Sequence, residues 1–242
     1  MKRPRVIFCD VYGTLLDVLP PPAEAEGQWQ ELLQATFFGE PNERTVSLEE
    51  VAAQCERIVQ REHELARDAG IRNPEVDWTA VMSRALPALA SLPAAEQADF
   101  LFAHMQLRHT LRLMPGASEC LHAAQQAGIL LGLVSNAQAY TLRELDAALA
   151  GTGLSREAFD QELMFWSFVE GFGKPDPGVF KFLTERLAER GFVPGEALVV
   201  GDRLDNDIVP AKAEGFATWW LAGSGDGDWA ELRRKLETAS LV

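Results

Sequence analysis

Cysteine is scarce in this 242-residue chain. Only Cys9, Cys55 and Cys120 occur, with no CxxC spacing, so neither a disulfide framework nor a zinc site has a basis. Each reads as a small buried thiol, and a reducing cytoplasm is the expected setting. Long apolar runs are lacking as well. The basic start Met1-Lys2-Arg3-Pro4-Arg5 is followed only by Val6 to Cys9 before Asp10, too short for a signal-peptide core, and no later stretch approaches a transmembrane span. Positive charge is in short supply: 22 Lys and Arg stand against 36 Asp and Glu, a formal charge of −14. That balance disfavours nucleic acid and anionic membrane as partners, and an anionic substrate would need locally placed positive charge. The four histidines, His63, His104, His109 and His122, show no metal-ligand spacing and are assigned no role. Internal repeats are absent, and Gly223 to Asp228 reads as a loop without the spacing of a calcium site.

What the chain does have is apolar content of 47%, enough for a sizeable core. Four short apolar runs, Arg5 to Asp10, Ile129 to Ser135, Ala197 to Gly201 and Ala217 to Ala222, alternate with helical patterns. Such alternation predicts parallel strands joined by right-handed crossovers, hence an α/β, doubly wound, Rossmann-like sheet. Leu163 to Phe168 is a candidate fifth strand. Gly116 to Gly128 and Pro177 to Arg190 carry helical spacing, with Gly128 and Gly191 at expected C-caps.

More than a hundred residues separate the first two runs, far beyond the length of one crossover helix. An insertion is therefore expected. From Pro20 to Leu113 the chain is rich in Ala, Leu, Glu, Gln and Arg, without sustained strand-like alternation, and Val51, Cys55, Ile58 and Val59 mark the face of an amphipathic helix. Pro20-Pro21-Pro22 and Pro115-Gly116 mark its ends. The expected organisation is a catalytic core of residues 1–19 and 114–242 carrying a helical cap of residues 20–113.

Chemistry-bearing residues gather at the ends of the apolar runs. Asp10-Val11-Tyr12-Gly13-Thr14 follows the first, placing a carboxylate at the C-terminal edge of a parallel sheet, where α/β folds bind ligands. Gly13 permits a tight turn, and Thr14 can orient the loop through its hydroxyl. The second run ends in Ser135 and Asn136, a hydroxyl and an amide suited to an anion. Gly173-Lys174-Pro175-Asp176-Pro177 sets a lysine just before a helix start. Gly201-Asp202 through Asn206-Asp207 closes the third run with carboxylates of the kind that hold Mg²⁺. An acidic helix N-terminus accounts for Asp205 but not for Asp202.

Taken together, these four elements resemble the haloacid dehalogenase superfamily in order and strand-end placement, over Arg5 to Ala222 with the cap excluded. The resemblance implies that Asp10 is a nucleophile forming a covalent intermediate and that Ser135 and Asn136, with Thr14 nearby, hold the transferring or leaving group. It also implies that Lys174 pairs with nucleophile and substrate anion, that Asp202 binds Mg²⁺, and that Asp207 supports the metal. The cap would exclude water and select a small anionic substrate.

Two features of the resemblance pull apart. Superfamily phosphatases carry a second Asp two residues after the nucleophile as general acid and base, and here that position is Tyr12. The Asp-x-Tyr form resembles the 2-haloacid dehalogenases, whose halide leaves without a proton. The Gly201-Asp202 and Asn206-Asp207 motif instead resembles the metal-binding phosphatases, and the backbone carbonyl of Tyr12 could still meet Mg²⁺. An unneutralised Asp202 beside Asp10 would be costly, which favours a Mg²⁺-dependent phosphatase. The alternatives are a metal-independent 2-haloacid dehalogenase, for which Arg44, Arg57, Arg61, Arg67 and Arg72 are candidate substrate ligands, and a binding or regulatory module with little turnover. Trp219 and Trp220 are candidates for the border of the site, with core packing accounting for at least one.

Overall fold

The computed structural model describes residues 2–37, 46–221, 223 and 225–239. Among these the strands are β1 (Val6–Cys9), β2 (Leu16–Leu19), β3 (Thr110–Leu113), β4 (Leu130–Ser135), β5 (Met164–Trp166), β6 (Ala197–Gly201) and β7 (Ala217–Trp220). The helices are α1 (Ala25–Thr36), α2 (Leu48–Asp68), α3 (Trp78–Ala85), α4 (Ala94–Arg108), α5 (Ala117–Gln126), α6 (Ala139–Leu149), α7 (Ser167–Glu170), α8 (Pro177–Glu189), α9 (Val209–Ala213) and α10 (Trp229–Thr238). None of the described helices is long and apolar enough to cross a membrane.

Five strands form a parallel sheet in the order β5-β4-β1-β6-β7. The chain leaves central β1 for one side, then returns to build the other. This reversal is the doubly wound pattern expected from the alternating runs, and it opens a crevice at the C-terminal strand ends. Cys9 lies in register with both Leu133 and Val200, so the residues that follow these strands meet on one edge.

Both faces of β1 are buried, which explains its unbroken apolar sequence. Val6 and Phe8 pack with Val134, Phe165, Phe180, Leu183 and Val199 beneath α8. Gly132 lies opposite Phe8, where an added Cβ would approach the Phe8 ring to 2.7 Å. The absence of a side chain there makes room for the phenyl ring.

The chain divides into two compact units, residues 1–17, 112–137 and 145–242 forming the first and residues 18–111 and 138–144 the second. In the second, Trp29, Val51, Cys55, Val81, Met82, Leu89 and Phe100 form a helical core, and Ile58 and Val59 pack against it. A capping box between Ser47 and Glu50 starts α2. The predicted amphipathic face is therefore present, within a helical cap.

Three details depart from the sequence reading. Thr110–Leu113 lies inside the stretch expected to be helical, yet it is a strand paired with Leu16–Leu19. Its four residues are too few for alternation to stand out. The candidate strand Leu163 to Phe168 keeps only Met164–Trp166, and the chain turns into α7 at Ser167. Residues 138–144, assigned to the core, group with the second unit because Gln138 donates to Glu75 and to the carbonyl of Val76, and Tyr140 packs on the helical core.

Candidate active site

Asp10 extends β1 by one backbone bond, its N–H donating to the carbonyl of Val200 at 3.0 Å. Beyond it the chain doubles back sharply, with the N–H groups of Thr14, Leu15 and Leu16 all directed to the carbonyl of Val11. Gly13 makes this possible at φ +78, and an added Cβ there would fall 2.4 Å from Asp202 Oδ2. Glycine is thus required both by the backbone and by the neighbouring carboxylate. The buried Thr14 donates its hydroxyl to Asp202 Oδ1 at 3.4 Å, joining the loops after β1 and β6.

Lys174 is the hub of the site. Its ammonium spends all three protons on protein acceptors: Asp10 Oδ1 at 2.7 Å, Asp207 Oδ1 at 2.6 Å and the carbonyl of Val134 at 2.8 Å. Burial pushes its pKa down, but Asp10 and Asp207 more than offset this and hold it above the ordinary lysine value. The charge is therefore kept inside the protein. Burial is also the main influence on Asp207, raising its carboxyl despite the opposing pull of Lys174. Asp202, half-buried, is raised by burial and by repulsion from Asp207.

Local backbone explains how these groups come together. Asp176 caps α8 by accepting from Gly178 N–H at 2.8 Å, with Pro177 in its first turn, as the sequence predicts. Between Leu204 and Ile208 a wide helical turn carries Asp207 inward, where Oδ2 accepts from Arg203 N–H at 3.0 Å. Gly201 leaves space for it, since an added Cβ would meet the Asp207 side chain at 2.4 Å. Asp205 instead pairs with Arg203 in solvent and stands apart from the cluster.

Asn136 takes a different position from a free substrate donor. Its Oδ1 accepts from Lys174 N–H at 2.7 Å and its Nδ2 donates to the Lys174 carbonyl at 2.8 Å, so the amide clasps the lysine backbone. Ser135 Oγ, by contrast, is buried and has no hydrogen-bond partner among the described residues. Tyr12 is half-buried, and its backbone bridges to Leu16. Of the cap arginines, Arg57, Arg61, Arg67 and Arg72 are exposed in the second unit, whereas Arg44 lies outside the described residues.

The structure adds contacts that were not expected from sequence. Trp220 donates its indole N–H to the Asp202 carbonyl at 2.8 Å, and Trp229 donates to the Thr14 carbonyl at 2.9 Å. Both loops of the carboxylate cluster are thereby pinned by tryptophan. Ser167 closes a similar link with the backbone of Ala137. The sequence makes Trp220 a candidate for the border of the site, whereas no local signal marks Trp229 or Ser167.

Asp10, Asp202 and Asp207 each offer a carboxylate oxygen, and the three oxygens lie within 4.8 Å of one another. Three acids face one ammonium, an all-oxygen donor set with surplus negative charge. These residues fit a hard divalent cation such as Mg²⁺.

The family model of haloacid dehalogenase-like hydrolases matches residues 4–215. Glyceraldehyde 3-phosphate phosphatase of Pyrococcus furiosus is 33% identical over 122 residues, covering 50% of this chain and 46% of its own. The chain spans about half the length of the curated relatives it matches. Among solved structures, a 2-haloacid dehalogenase from Pseudomonas syringae pv. Tomato DC3000 superposes with a TM-score of 0.59 at 22% identity, over 93% of this chain and 91% of that one. A HAD phosphatase from Thermococcus onnurineus gives 0.54 at 24% identity over 99% of each chain. At these identities the superpositions speak for the fold, while the family match spans the strand-end loops described above. The chain belongs to the haloacid dehalogenase-like hydrolases.

Proposed function

We propose that the chain is a Mg²⁺-dependent phosphatase of small phosphorylated metabolites, acting through a phosphorylated Asp10. The convergence of Asp10, Asp202 and Asp207 around Lys174 carries this reading. The name of the Pyrococcus furiosus relative, a phosphatase of a small phosphorylated aldehyde, supports the substrate class. Asp10 and Asp202 would hold Mg²⁺, with Asp207 behind them and the Tyr12 backbone carbonyl as a further ligand. When bound, the ion would offset the substrate's charge and polarise a phosphoryl oxygen.

Lys174 occupies Asp10 Oδ1, which leaves Oδ2 for attack. That oxygen bonds to phosphorus as the ester P–O bond breaks, and the departing alkoxide takes a proton from water. A second water then attacks phosphorus and gives a proton to the hydroxide left by the first, the bond to Asp10 breaks, and inorganic phosphate leaves with the carboxylate restored. The Lys174 charge offsets repulsion between Asp10 and the incoming anion. Ser135, whose buried hydroxyl is without a hydrogen-bond partner among the described residues, is the donor for a phosphoryl oxygen, while Asn136 holds the Lys174 backbone in place.

One observation favours a second reading, a metal-independent 2-haloacid dehalogenase. Tyr12 stands where a phosphatase general acid would, and a phenol is a weaker acid than the carboxyl group that would otherwise serve there. Phosphate and halide release from panels of phosphate esters and 2-haloacids, with and without Mg²⁺, separate the two. The expected outcome is Mg²⁺-dependent phosphate release that falls about 10⁴-fold or more in folded Asp10→Asn. Tyr12→Asp should raise hydrolysis of an alkyl phosphate by up to about 10²–10⁴-fold by restoring a general acid. Halide release without metal, lowered by Tyr12→Asp, would overturn the phosphatase reading.

A further inference from the structure

We infer that the first unit carries a second site, at the edge of its sheet opposite Asp10, which binds a small organic phosphate. A cavity of about 570 Å³ opens where β1, β4, β6 and β7 begin, with Lys2, Arg3, Arg5 and Glu196 in its lining. Asp10 follows the other end of β1, so this cavity is separate from the carboxylate cluster. Binding there is independent of the reaction proposed for Asp10.

Charge is the first observation. In a chain of formal charge −14, three cations stand within positions 2–5. None of Lys2, Arg3 and Arg5 takes part in an ion pair among the described residues. Glu196 is the one acid among the described residues of the lining, and its carboxylate already accepts from Val193 N–H at 3.0 Å. The cavity wall is therefore net positive.

Arg3 supplies the second observation. Its Nη2 donates to the Ala127 carbonyl at 3.0 Å, just beyond α5, which a helix-capping role explains. Its Nε is buried and has no hydrogen-bond partner among the described residues. The Nη2 contact holds the guanidinium at the cavity wall. Arg5 lies over the Phe192 ring, 5.1 Å from its centroid, a stacking that restricts the guanidinium.

Guanidinium groups match the geometry of phosphate oxygens, and two of them with an ammonium suit a doubly charged phosphate. Pro4, Ile129 and Leu198 add apolar wall, and the volume falls within the range of small-molecule pockets. Free phosphate would leave that apolar wall unused. The ligand is therefore a phosphate joined to a compact organic group.

Isothermal titration of the full chain in EDTA tests this with two probes, phenylphosphonate, whose carbon–phosphorus bond the enzyme cannot hydrolyse, and inorganic phosphate. Phenylphosphonate should bind the wild type, more tightly than inorganic phosphate. Its affinity should fall about tenfold or more in Arg3→Gln and in Lys2→Gln/Arg5→Gln. The double variant leaves the Arg3 contact with α5 intact, so a loss there stands even if Arg3→Gln is poorly folded. Ser135→Ala, at the other edge, should remove none of the binding that the Lys2, Arg3 and Arg5 variants lose. No binding at concentrations on the order of 10 mM would overturn the site. So would equal affinity in every variant, or a loss confined to Ser135→Ala. Inorganic phosphate binding as tightly as phenylphosphonate would overturn the organic part of the assignment.

Discussion

Lys174 in the first unit and His104 in the second are both buried basic side chains, 4% and 2% exposed, yet they are accommodated in opposite ways. Lys174 keeps its charge because two carboxylates and a carbonyl meet its three protons. His104 has no hydrogen-bond partner at either ring nitrogen among the described residues, and it packs edge-on against Trp29 with centroids 5.4 Å apart. Burial, then the charges of Arg108 and His109, lower its pKa to about 4, so it is neutral at physiological pH. A buried charge with matched partners marks chemistry. A buried imidazole held neutral among aromatics marks packing.

Removing the charge from the first region should have the largest effect on stability. Lys174→Met fills similar space but leaves Asp10 and Asp207 buried without their cation, and breaking such a pair typically costs about 3–5 kcal/mol. Chemical denaturation should report that loss, and turnover should vanish with it. A variant as stable as the wild type would erase the distinction between the two residues.

Charging His104 is the reverse experiment. Its folded pKa lies below its unfolded one, so stability is complete above about pH 6.5 and is lost progressively as pH falls towards about 4. At pH 5 the penalty is about 2 kcal/mol, given about 1.4 kcal/mol for each pH unit below the unfolded value. His104→Leu should lose less stability than the wild type between pH 7 and pH 5 in parallel urea titrations. Equal losses would show that His104 carries no acid penalty.

The smallest change separates orientation from charge. Trp220→Phe keeps a ring but removes the N–H that holds the Asp202 carbonyl. Outer contacts of this kind typically alter metal affinity by about 10–100-fold, and the lower figure is expected here because Thr14 still holds the Asp202 carboxylate. Calorimetric Mg²⁺ titration at unchanged melting temperature is the measurement. An unaltered affinity would mean that Thr14 alone suffices.

Much of this site was legible because each of its main groups sits beside a strong local signal. Asp10, Ser135 and Asp202 border short apolar runs, and Asp176-Pro177 announces the helix that follows Lys174. The missed features depend on distant partners. Trp229 and Thr14 are 215 positions apart, and nothing near either one reveals their hydrogen bond. The clasp of Asn136 on the Lys174 backbone spans 38 positions and uses an amide that sequence alone could equally give to a ligand. Thr110–Leu113 failed for another reason: a four-residue strand of partly exposed residues has too little pattern to distinguish it from the end of a helix.

The central place of β1 also bears on how the molecule comes apart. Edge strands β5 and β7 each have a single neighbour in the sheet, whereas β1 is hydrogen-bonded to β4 on one side and β6 on the other. Local opening that frays an edge can therefore leave the strand bearing Asp10 protected from hydrogen exchange. The residue proposed as nucleophile is attached to one of the last elements to open, so fluctuations that reshape the sheet's margins need not disturb it.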